Sequence, residues 1–61
     1  MPLETSRPKI VRQLERDGWV NEGGAKHDLF SHPVKTDVII VPRHRSLSPG
    51  VARQIARVAG W

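Results

Sequence analysis

The chain has 61 residues, 38% of them hydrophobic, with Trp19, Phe30 and Trp61 as its aromatics and ten Lys and Arg against six Asp and Glu, a formal net charge of +4. A chain this short buries only about 60% of the surface that its unfolded form exposes, so residues 1–61 are expected to form one domain with no room for a deep enclosed substrate cavity. It has no Cys, which excludes disulfides, thiolate metal sites and Cys nucleophiles, and its positive excess points to polyanionic partners, nucleic acid first.

Residues 1–7 read as a flexible polar N-terminus without the apolar stretch of a secretory signal. No segment approaches the 18 apolar residues of a membrane span, so no membrane association and a cytoplasmic location are expected. Arg7 precedes a proline and is pushed away from helical angles, whereas Pro8 suits a first turn, so the first helix is predicted from Pro8. Ile10, Val11 and Leu14 recur on one face of it, and Gly18 supplies the left-handed residue that ends it. Trp19, Val20 and Asn21 favour an extended chain, Gly23 and Gly24 break it, and His27 to Ser31 resume it, which makes a hairpin. Val38 to Val41 form a third, β-branched strand that stops at Pro42. After the basic loop Arg43-His44-Arg45, Ser48 is the predicted N-cap of a second helix with Pro49 first, running to Ala59 and stopped by Gly60. The predicted core is Ile10, Leu14, Val20, Leu29, Val38, Ile40, Val41, Ile55 and Val58. Two one-sided helices and three strands are most simply buried as a two-layer α+β fold, α-β-β-β-α, with a three-stranded antiparallel sheet that carries both helices on one face and leaves the other open.

His27, His32 and His44 are the side chains able to exchange protons near neutral pH. A surface histidine is more often structural than functional, and none of the three has the i, i+4 spacing of a helical metal site. His27 stands apart because it opens a strand directly after a glycine turn, held by a rigid element yet open to a large substrate. The guanidinium forks of Arg43 and Arg45, with Lys26, Arg53 and Arg57, suit phosphate oxygens. Ser6, Ser31, Ser46 and Ser48 lack a nucleophile-elbow context, and Asp17, Asp28 and Asp37 are scattered, so neither a serine nucleophile nor a two-metal centre is expected.

The stretches Leu14-Glu15-Arg16-Asp17-Gly18-Trp19, Ala25 to Pro33, Val41-Pro42-Arg43-His44-Arg45 and Gly50 to Gly60 together resemble the HicA family of toxin messenger-RNA interferases, in register from about Ile10 to Trp61. The resemblance implies a fold similar to a double-stranded-RNA-binding domain and a catalytic histidine at the end of a Gly-Ser-His motif, which is His27 here. Ala25 and Lys26 stand where that motif has Gly and Ser, with Gly23 and Gly24 two residues upstream, and the family's Gly-Thr-Leu-Arg reads Gly50-Val51-Ala52-Arg53. It further implies a HicB-like antitoxin as partner.

On this reading the chain is the toxin of a type II toxin–antitoxin system, an endoribonuclease that acts on messenger RNA without metal or cofactor. His27 is its general base and His44 the available general acid, while Lys26, Arg43, Arg45, Arg53 and Arg57 bind RNA. The alternative is a non-catalytic module that binds duplex RNA by shape and phosphate contacts. A DNA-binding role is weaker because neither helix reads as a recognition helix.

Overall fold

The element order predicted from periodicity is the order found. The computed structural model describes residues 3–61, and the first two positions of the expected flexible N-terminus, Met1 and Pro2, lie outside the described residues. Helix α1 spans Arg7–Arg16, the strands β1, β2 and β3 span Val20–Gly23, His27–Ser31 and Ile39–Pro42, and helix α2 spans Pro49–Ala59. The sheet is antiparallel in the order β1-β2-β3, an α+β arrangement consistent with a double-stranded-RNA-binding-domain-like fold.

Local chemistry explains the boundaries. Ser48 caps α2 by accepting a hydrogen bond from the Val51 N–H at 3.3 Å, and Pro49 occupies the first turn, where its missing N–H costs nothing. Gly18 and Gly60 follow the two helices at φ +97° and +82°, as predicted for residues that let the chain reverse. Arg7 departs from expectation: it begins α1 instead of preceding it. Tertiary bonds override the pre-proline bias, since the Arg7 N–H donates to the Arg45 carbonyl at 3.0 Å and its Nε to the Pro42 carbonyl at 2.9 Å. Thr5 and Ser6 are tied down as well, through a Leu47 N–H bond to the Thr5 carbonyl at 2.8 Å and a bridge between Ser6 and Ser46. The expected looseness of the N-terminus therefore does not extend to Thr5, Ser6 and Arg7.

The core lies between the sheet and both helices: Ile10 and Leu14 from α1, Phe30, Ile39 and Val41 from the sheet, Ala52, Ile55 and Ala59 from α2, with Trp19 and Leu47 from the connections. Three predicted core residues are instead half-exposed, Val20 at 52%, Val38 at 52% and Ile40 at 54%, and Leu29 and Val58 are only partly buried. The correction follows from the pleat. Phe30 pairs with Ile39 and Asp28 with Val41, so these four share the covered face, while the alternating positions His27, Leu29, Ile40 and Pro42 share the open one. Strand β3 is apolar at every position before Pro42, and only its register against Phe30 decides which side goes in.

Candidate active site

Strand β2 begins at His27, which is exposed and lies opposite Pro42 of β3 on the uncovered sheet face. His27 is also one of the residues lining a groove of about 510 Å³ between β3 and α2, whose walls are largely Val38, Ile39, Ile40, Val51, Ile55 and Val58. Among the described residues, the outer edge of β3 has no strand beside it.

The basic loop forms a second concavity of about 340 Å³, lined by Arg7, Pro8, Arg43, His44 and Arg45. Pro42 lines the first concavity and its chain neighbour Arg43 the second. Lys26 is exposed in the turn that leads into His27. The structure thus gathers Lys26, Arg43, His44 and Arg45 around one end of β2 and β3, but His27 and His44 line different concavities. Arg53 and Arg57 are exposed one turn apart on α2 and line neither.

Sequence reasoning missed the group at the centre of this end of the sheet. Asp28 is only 8% exposed and accepts from Arg43 Nε at 3.1 Å and Nη2 at 2.9 Å through one oxygen, and from Arg7 Nη2 through the other. Arg43 also donates to the Gly24 carbonyl at 2.7 Å. Its fork is therefore largely engaged within the protein, whereas Arg45 forms no side-chain ion pair among the described residues. The available signal was the alternation of β2, which places Asp28 on the same face as Phe30 and so demands cationic partners for it.

The hydrogen bond from Arg43, opposed by burial and assisted by the charges of Arg43 and Arg7 and by Asn21, holds the Asp28 carboxyl below its ordinary value of 3.8. A carboxyl depressed in the folded state contributes stability above its unfolded pKa and loses that contribution as the pH falls through the folded one. The melting-temperature advantage of the wild type over Asp28→Asn should therefore stay level from neutral pH to about 5 and shrink below about 4. An advantage unchanged at pH 3 would remove the charged clamp from the account.

His32 is structural. Its Nδ1 accepts from the Val34 N–H at 3.1 Å, which leaves Nε2 to donate to the Asp17 carbonyl at 3.0 Å, and its ring meets Trp19 edge-on at a centroid separation of 5.1 Å. Among the described residues no three His, Asp or Glu side chains come close enough to hold a metal ion, and no helix is long and apolar enough to cross a membrane. No curated protein matches the chain. A family profile described as HicA toxin of bacterial toxin-antitoxin matches residues 7–61.

Proposed function

The chain belongs to the HicA family of toxins from bacterial toxin–antitoxin systems, and from that premise we propose that it is a metal-independent endoribonuclease acting on messenger RNA with His27 as general base. The carrying observation is the position of His27, exposed on the uncovered sheet face as the first residue of β2 and opposite Pro42, whose chain neighbour Arg43 lines a concavity with Arg7, His44 and Arg45. Geometry of that kind admits a polymer laid across the surface and excludes chemistry that needs enclosure.

In the reaction, a neutral His27 imidazole takes the proton of an RNA 2′-hydroxyl, and the 2′-oxygen attacks the adjacent phosphorus. The bond to the 5′-oxygen breaks, leaving a 2′,3′-cyclic phosphate and a 5′-hydroxyl. His44 supplies the proton for the departing oxygen, which requires the RNA to cross the Pro42–Arg43 junction between the two concavities. Arg45 and Lys26 neutralise phosphate charge near the scissile bond, and a single placed base contributes about 10²- to 10⁴-fold. Arg53 and Arg57 lie on a separate face of α2 and serve RNA beyond the cleaved linkage.

The partner is a HicB-like antitoxin that covers the open sheet face, where Ile40, opposite Leu29, and Val20, opposite Ser31 at the far end of β2 from His27, are half-exposed. Because the described residues bring no three metal donors together, cleavage of a messenger RNA by the purified chain should persist in excess EDTA and yield 2′,3′-cyclic phosphate ends. Activity that returns only with added Mg²⁺ or Mn²⁺ would overturn the mechanism. Tight RNA binding with no cleavage product would favour the duplex-RNA-binding alternative.

A further inference from the structure

The turn before His27 is held by a side chain that the reaction does not use as acid or base. Asp28, the next residue along β2, is nearly buried and carries a charge, so its two oxygens need partners. They receive them from two arginines that arrive from different parts of the chain, Arg7 at the start of α1 and Arg43 just beyond β3. Each arginine then reaches a second target. Arg7 Nε donates to the carbonyl of Pro42, the residue paired with His27 across the strands, and Arg43 Nη2 donates to the carbonyl of Gly24 at 2.7 Å.

The turn itself is folded tightly onto the strand that follows. A Cβ at Gly24 would stand 2.3 Å from the His27 carbonyl oxygen, so this position accepts only glycine without moving the His27 backbone. The path from Gly24 to His27 is thereby fixed from both sides, by contact from within and by Arg43 from without. Two bonds from one guanidinium to Asp28 and another to Gly24 use the planar fork, which an ammonium cannot reproduce.

We infer that Arg43 and Asp28 are positioning residues that set the place of His27 for its 2′-hydroxyl, and that the fork of Arg43 is used for this and not for gripping phosphate. The inference rests on the catalytic reading of His27. It assigns the charge at position 43 to the protein's own turn and leaves Arg45 as the phosphate ligand of the loop.

The test compares Arg43→Ala, Arg43→Lys and Gly24→Ala with the wild-type chain in cleavage of a short RNA, with kcat and KM measured separately and folding followed by thermal melting. Misplacement by about 1 Å can cost about a hundredfold, so all three variants should lose ten- to a hundredfold in kcat with KM within a few-fold of wild type. Arg43→Lys should not recover kcat although it restores the charge. A Lys variant with wild-type kcat, or an Ala variant whose loss lies wholly in KM, would overturn the inference in favour of a phosphate contact. Loss of melting temperature with kcat unchanged would reduce the clamp to a purely structural one and overturn it equally. Backbone NMR relaxation supplies a readout independent of activity: order parameters over residues 24–27 should fall in Arg43→Ala, and unchanged values would also sink the inference. Wild-type cleavage by His27→Ala would instead count against the catalytic reading, so the two failures are distinct.

Discussion

Replacing His27 with Ala is expected to abolish the growth arrest caused by inducing the chain without an antitoxin. His27 is exposed, its side chain lies outside the core, and its backbone pairing with Pro42 does not depend on the ring. The substitution should therefore leave the melting temperature within a few degrees of wild type and RNA affinity nearly intact, while cleavage at saturating RNA falls by about 10²- to 10⁴-fold. Growth curves after induction, a cleavage assay and a binding titration on 2′-O-methyl RNA check the three parts separately. Arrest as strong as that of the wild type would remove His27 from the mechanism.

The largest effect on stability is expected at Phe30. Its side chain is fully buried at the centre of the covered sheet face, against Ile39 on the neighbouring strand and within the cluster built by both helices. Truncation of a buried Phe to Ala costs about 3–5 kcal/mol through lost burial and the cavity left behind. Typical stabilities of about 0.05–0.15 kcal/mol per residue give a chain of this length only about 3–9 kcal/mol in total. Phe30→Ala should accordingly be largely unfolded at 37 °C, seen as loss of the cooperative transition in far-UV circular dichroism. The exposed neighbour Ile40→Ala should melt close to wild type. If Phe30→Ala melted within a few degrees of wild type, the core would have to be centred elsewhere.

The sequence revealed elements better than faces. Boundaries at Gly18, Pro42, Ser48 and Gly60 were legible because each rests on one residue's local chemistry, a left-handed φ, a missing donor or a capping hydroxyl. The side of β3 that turns inward was not legible, because Val38, Ile39, Ile40 and Val41 are alike in hydrophobicity and a shift of one residue exchanges the faces. Long-range ion pairing was equally hidden. Nothing in the neighbourhood of Arg7 signals that its head group will meet Asp28, 21 positions along the chain. His27 was legible as an exposed strand-opening histidine from the glycines before it, whereas the engagement of Arg43 by Asp28 and Gly24 depends on three segments meeting in space.

The two tryptophans occupy opposite surroundings. Trp19 is buried beside His32 with Lys35 over its ring at 5.6 Å, and Trp61 is 39% exposed, its indole donating to the Asp17 carboxylate at 2.7 Å. With no tyrosine in the chain, all emission excited at 295 nm originates from these two indoles. The folded protein thus carries a blue-shifted and a red-shifted emitter whose signals separate by their accessibility to a dissolved quencher such as iodide. Fluorescence of the unlabelled chain can follow the melting of the core through Trp19 and the release of the last turn from α1 through Trp61, so fraying of the C-terminus becomes optically distinguishable from global unfolding.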